Sequence, residues 1–127
     1  MNKISITTEQ LEKILSPKIR SIYKKQLEHQ LSAISYRLFD RTLVVILEGT
    51  LTPPEQLLKQ SDRQQLAKQV RQAIDRIIQP QIKTTIEEVM NVKVIDFLSD
   101  TTIDTSRTGA IAIFEFHPKT DSDKKQS

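Results

Sequence analysis

Two segments of this chain have no polar face: Leu43-Val44-Val45-Ile46-Leu47 and Ala110-Ile111-Ala112-Ile113-Phe114 are unbroken apolar runs. Neither approaches the roughly 20 residues that a membrane-spanning helix needs, and both read as strands. Side chains alternate along a strand. Leu43, Val45 and Leu47 therefore oppose Val44, Ile46 and Glu48, while Ala110, Ala112, Phe114 and Phe116 oppose Ile111, Ile113, Glu115 and His117. A sheet with helices on one side normally alternates apolar and polar residues. Here the face that the helices leave uncovered would hold Val and Ile in water, and monomers rarely expose a large patch of that kind. The expectation is an interaction surface at Val44, Ile46, Ile111 and Ile113, most simply in a homodimer. Cover by the tail, by the 50–60 segment or by a bent helix is the alternative.

The rest of the chain frames these strands. A first helix is expected from about Thr8 to Gln30, started by capping-box spacing at Thr7 and Gln10 and striped by Leu11, Ile14, Leu15, Ile19 and Ile22. Ser16-Pro17 either kinks it or restarts it. Ala33 to Phe39 and Thr42 to Gly49 form a hairpin across Asp40-Arg41. Thr52, Pro53 and Glu55 are a helix start, with Thr as cap, Pro at the first position and Glu reaching back. A short turn of helix follows, with a break near Ser61. A long helix then runs from about Asp62 to Met90, striped by Leu66, Val70, Ala73, Ile74, Ile77, Ile82, Ile86 and Val89, with a kink expected at Pro80. At about 40 Å it overhangs strands of roughly 26 Å. Val92 to Leu98 and Gly109 to His117 are the last strands, joined by a polar loop from Ser99 to Thr108.

The order helix, hairpin, helix, hairpin predicts an α+β two-layer sandwich, with a four-stranded antiparallel sheet and both helices on one face. It is a circular permutation of the ferredoxin-like order, which places the second strand of each hairpin in the middle of the sheet. Those are the two apolar runs. The 127 residues suit a single domain over 1–117, and the polar stretch 118–127 reads as a disordered tail.

Composition narrows function mainly by exclusion. The absence of Cys removes disulfides, thiolate ligands and thiol nucleophiles. No apolar stretch follows the first Lys, so no signal peptide is expected, and a cytoplasmic location follows. Nineteen basic and 16 acidic residues are interspersed, for a net charge of +3. The densest basic stretch, Lys18, Arg20, Lys24 and Lys25, reads as a solvated helix face, not a phosphate-binding stripe. His29 and His117 lack the neighbours of a metal site or a triad. With only Gly49 and Gly109 in the chain, no phosphate-cradling glycine loop can be built. Glu48 and Glu115 fall at opposite ends of the sheet and make a poor acid/base pair. Asp100 to Asp104 lacks the Gly and terminal Glu of a calcium loop. The helix start after Gly49 is a cap and not an anion site, because Pro53 and Pro54 remove donors and Glu55 adds negative charge. Tyr36, Phe39, Phe97, Phe114 and Phe116 offer stacking surfaces without an RNA-binding motif around them. No catalytic residue, cofactor or metal ligand emerges, and a non-enzymatic protein is expected. A nucleic-acid-binding module and a small-molecule sensor are the competing readings.

From Gly49 to Leu58 the chain resembles the MpsC family of small YbcI-like bacterial proteins, in a Gly-x-Leu-Thr-Pro-x-Glu segment carried here by Gly49, Leu51, Thr52, Pro53 and Glu55. The similarity continues through a long helix holding Val70-Arg71, a helix end like Val89-Met90-Asn91-Val92-Lys93-Val94, Ser99-Asp100, and a strand like Ala112 to Phe116. It departs where members often have a Gly-rich stretch, here Leu27-Glu28-His29-Gln30-Leu31. Asn91 replaces the helix-end Gly, and the loop around Ile103 is extended. The resemblance implies the small soluble component of a membrane system that generates membrane potential and supplies inorganic carbon. The partner it points to is a membrane transporter subunit; the second copy is expected from the strand pattern, and the charge distribution and short apolar runs argue against nucleic acid and membrane insertion.

Overall fold

The turn Asp40-Arg41 joins β1 (Ala33–Phe39) and β2 (Thr42–Glu48) into a two-residue hairpin in which Phe39 faces Thr42 and Ala33 faces Glu48. Asp40 takes the left-handed conformation at φ 54°, which Asp tolerates better than most residues. The structure, a computed structural model, describes residues 7–118; most of the tail expected to be disordered lies outside that range. Helix α1 (Thr8–Leu27) precedes the hairpin. Helices α2 (Pro53–Gln60) and α3 (Gln64–Met90) follow it, and β3 (Val94–Thr102) and β4 (Arg107–Phe114) complete the chain.

The strands form one antiparallel sheet in the order β1-β2-β4-β3, with the two apolar runs central, as the permuted ferredoxin-like order requires. Helix α1 lies against α3 and β1, and α3 against β3. The core between the layers is built from Leu11, Leu15, Ile19 and Tyr23 of α1, Ile78, Ile82, Ile86 and Met90 of α3, and Leu43, Val45, Leu47, Ala110, Ala112 and Phe114 of the central strands.

Local chemistry explains the ends of the elements. Thr7 Oγ1 accepts from Gln10 N at 3.1 Å and Gln10 Oε1 accepts from Thr7 N at 2.8 Å, the reciprocal capping box. Helix α1 stops at Leu27, short of the expected Gln30, because Glu28 turns left-handed at φ 50° and its N–H donates back to Lys24 O. Asn91 closes α3 in the same way at φ 56°. Both helices continue unbroken through their prolines, so Pro17 does not restart α1. Pro80 lies on the exposed side of α3, where its ring meets water and not the sheet.

Two expectations need correction. The stretch Ser99–Thr102 belongs to β3, and the connecting loop is 103–106 only. Those polar residues sit on an edge strand, where one side of the backbone bonds to β4 and outward-pointing polar groups remain wet. The stripe of α3 holds at Ile82 and Ile86, with Ile74 and Val89 packed against the core, but differs in the first half of the helix. Leu66, Ala73 and Ile77 are exposed, whereas Ala67, Arg71, Ile78, Ile82, Ile86 and Met90 are buried. The N-terminal half of the helix turns a buried charge toward the core.

Candidate functional site

The segment that leaves β2 passes between the two hairpins. Gly49 has φ 70°, and a Cβ there would collide with the Ser32 side chain, so the position needs glycine. His29 Nε2 donates to its carbonyl at 2.7 Å. Ser106, in the β3–β4 loop, fastens the next residues: its carbonyl accepts from Gly49 N and Thr50 N at 2.8 and 3.0 Å, and its hydroxyl accepts from Leu51 N at 2.9 Å. Leu51 is buried as a result.

Helix α2 then opens at Thr52, Pro53 and Glu55. The Glu55 carboxylate reaches back as the capping pattern demands, accepting from Thr52 N at 3.0 Å. The Thr52 hydroxyl departs from that pattern and donates to Glu55 Oε1 at 2.9 Å. The reason lies in α3. Arg71 grips Glu55 with two donors, Nε to Oε2 at 2.7 Å and Nη2 to Oε1 at 2.8 Å. Two further hydrogens go to Thr50 O at 2.9 Å and Asp75 Oδ1 at 3.0 Å. Glu55 is 1% and Arg71 2% exposed. A charge pair this deep is tolerable only with good geometry and further hydrogen bonds, and here four of the five Arg71 hydrogens and both Glu55 oxygens are engaged. Asp75 extends the network: Thr101 Oγ1 donates to its Oδ2 at 3.0 Å, and the Thr108 hydroxyl lies 2.7 Å from that of Thr101 and 3.1 Å from that of Thr50.

The three charges respond differently. Burial works to raise the Glu55 carboxyl, but the hydrogen bonds from Arg71 and Thr52 and the Arg71 charge together hold it below the ordinary range. Burial likewise opposes the charge on Arg71, and its two carboxylates overcome that and raise it. For Asp75 burial wins, so its carboxyl rises despite Arg71 and the Thr101 hydroxyl. Tyr23 lies at the edge of this network. Burial pushes its phenol up to about 12. Arg71 and Thr108 are near enough to favour its ionised form, yet neither completes a hydrogen bond, and the hydroxyl has no partner.

Asp75 is also where the network meets solvent. It forms part of the wall of a cleft of about 450 Å³ between the first half of α3 and the β3–β4 loop. A shallower groove of about 640 Å³ continues from there along α3 and β3.

The remaining sequence expectations can now be placed. Gly49, Leu51, Thr52, Pro53 and Glu55 occupy one segment, each with its own local task except that Glu55 carries the buried pair as well. Val44, Ile46, Ile111 and Ile113 come together on the sheet face opposite the helices, where Val44 pairs with Ile111. Leu98, 60% exposed, stands beside Ile111. None of the helices lies over this face. Glu48 and Glu115 are at opposite ends, and Glu48 pairs instead with Arg107 at 2.9 Å. His117 lies 3.1 Å from Asp40 at the surface. The aromatics do not form a platform: Tyr36 and Phe114 are buried in the core, while Phe39 is exposed on the open face. Of the basic stretch, Arg20 is structural, donating to Leu31 O at 2.6 Å.

Arg71, Asp75, Thr101 and Thr108 were missed in the sequence reading. One signal was available. Ala67, Arg71, Ile78, Ile82 and Ile86 fall on a single helical stripe, and an Arg within an apolar stripe needs a buried acid. Among the described residues no helix is long and apolar enough to cross a membrane.

No curated protein and no solved structure matches the chain. A family model does: it is described as the Na+-translocating membrane potential-generating system (MpsC) and matches residues 7–116, a span that includes the Gly49–Glu55 segment, Arg71 and all four strands. The chain belongs to the MpsC family.

Proposed function

We propose that the protein is a non-enzymatic accessory or regulatory component of a membrane system that moves cations or inorganic carbon, and that it acts from the cytoplasm as a homodimer. Membership of a family named for a Na+-translocating, membrane-potential-generating system supports the link to a membrane partner. The carrying observation for self-association is the open sheet face. Val44, Ile46, Ile111, Ile113 and Leu98 cluster there without a helix above them. Gly109 leaves a hollow of about 450 Å³ among Val44, Ile46, Leu98 and Ile111, which would receive an apolar side chain of the partner copy.

Charge at the rim favours a second copy over an unrelated protein. Arg37 lies on the β1 side of the face, and Asp96 and Asp100 on the β3 side. A two-fold axis in the plane of the interface and parallel to the strands sets β1 of one copy over β3 of the other. Arg37 then meets Asp96 and Asp100 of the partner copy at both ends. An axis across the strands would oppose like charges.

Light scattering coupled to size-exclusion chromatography tests this. The wild-type chain is expected at twice its 14.6 kDa mass, and Val44→Glu/Ile111→Glu at the monomer mass with its fold intact by circular dichroism. A monomeric wild type removes the dimer. The transport link is tested separately: a tagged chain is expected to retain a membrane transporter subunit, and deletion to slow growth at low CO2. A pulldown holding only soluble proteins, together with normal growth, counts against it.

A further inference from the structure

The apolar spacing along the first half of α3 survives folding without entering the core. Leu66, Val70, Ala73 and Ile77 follow at steps of four, three and four, the heptad spacing of a helix that packs along another helix. Leu66 is 41% and Ile77 57% exposed, Ala73 is exposed and Val70 is half-buried. At about 100° per residue the four lie within about 60° of one another. They form a narrow strip that stays open after α1, α2 and the sheet have packed. The next heptad positions are Pro80 and Thr84. With Gln81 and with Ile22 of α1 they line a groove of about 390 Å³, so the strip runs into a furrow between the two helices.

Charge of one sign borders the strip. From Gln64 to Ile86 the charged residues of α3 are Lys68, Arg71, Asp75, Arg76 and Lys83. Arg71 is buried, and Asp75, the one acid, is paired with it. The unpaired charges that α3 offers over this length are therefore basic. On α1, Lys18 and Lys25 stand four before and three after Ile22, hence on the same face, and both are exposed. None of Arg76, Lys83, Lys18 and Lys25 forms an ion pair among the described residues.

Three occupants compete for such a surface. A second copy would set these cations against their own image, and like charges face to face suppress association. An anionic bilayer takes a wide apolar face carrying Trp, Phe or Leu. This strip has Val and Ala at its centre, and α3 contains no aromatic residue. A helix of another protein fits better. The narrow strip has the width of a coiled-coil seam, and Ala73 leaves room for a larger side chain between Val70 and Ile77. Carboxylates beside the apolar residues of that helix would meet the bordering cations.

We propose that the outer strip of α3 docks an acidic amphipathic helix of another protein. The apolar residues of that helix lie on Leu66, Val70, Ala73 and Ile77. Its carboxylates face Arg76 and Lys83 on one side and Lys18 and Lys25 on the other. This proposal depends on neither self-association nor the transport link, because the strip and the open sheet face are on opposite sides of the protein.

Fluorescence anisotropy with the full chain tests it. The probe is a labelled three-heptad peptide with Leu at its a and d positions and Glu at e and g, which its own charge keeps single. It is expected to saturate below about 1 mM and to weaken several-fold as salt is raised. Ile77→Glu, at an exposed position, should keep its circular-dichroism spectrum and melting temperature and lose about tenfold or more in affinity. Arg76→Glu should weaken the peptide by about threefold or more. Val44→Glu/Ile111→Glu, on the open sheet face, should bind it as wild type does. No saturation by the acidic peptide overturns the proposal. Equal binding of the same peptide with Lys at e and g, or of a scrambled acidic peptide, overturns it as well, and so does Ile77→Glu binding like wild type. Retention on vesicles of phosphatidylcholine and phosphatidylglycerol that Ile77→Glu abolishes would give the strip to a membrane instead. Loss of a dimer mass in Ile77→Glu by light scattering would give it to a second copy.

Discussion

Arg71 separates two meanings of stability. The Glu55–Arg71 pair gives little net stabilisation relative to an apolar pair of the same shape, because both charges lose their water. Removing one partner is different: Arg71→Ala strands a carboxylate at 1% exposure, and a loss of about 3–5 kcal/mol is expected by urea unfolding. Glu55→Leu/Arg71→Met should cost far less than the two single changes added together, the coupling expected of a pair in direct contact. Tyr23 gives the opposite case. Its hydroxyl has no partner, so Tyr23→Phe should leave stability at pH 7 unchanged or slightly higher. The sign at high pH follows from the raised phenol. The unfolded chain ionises first, so the contribution of Tyr23 is intact below pH 10.0 and drains away between 10.0 and about 12. Melting curves across that window should fall less steeply for Tyr23→Phe than for wild type.

At the level of elements, legibility followed burial. Periodicity located α1, α3 and the strands, the start signal at Thr52 located α2, and the capping chemistry at Thr7 and Asn91 was readable directly. The ends of β3 were not, because Ser99 to Thr102 look like loop residues until β4 is known to lie beside them. The face of the first half of α3 differs from its periodicity for a similar reason. Leu66, Ala73 and Ile77 form a good apolar stripe by spacing, and only the tertiary demand of Glu55 for a partner turns Arg71 inward in their place. Pro80 belongs to this scale too. It removes one N–H inside α3, and the helix persists because Ile78, Ile82 and Ile86 anchor both sides of it. Pro80→Ala restores that donor and should raise stability by about 1–3 kcal/mol, the interior proline penalty less the entropy that Pro removes from the unfolded chain. Chemical denaturation measures it.

At the scale of the whole molecule, what was legible was the pairing of two helix-hairpin units and the oily back of the sheet. The polar network between the units was hidden, because it joins residues 50, 55, 71, 75, 101 and 108, which no local pattern connects. The open face and the α3–β3 groove lie on different sides of the sheet, the first away from the helices and the second beneath α3.

The fastening of Gly49, Thr50 and Leu51 to Ser106 has a consequence for how such a chain can evolve. Topologically the fold looks like a doubled module that fission might separate. Each half, however, completes the other's backbone bonding at this seam, and the central strands of the two halves pair directly with one another. Neither half is a self-sufficient unit, so new function in this architecture has to arise by decorating the whole and not by trading its halves.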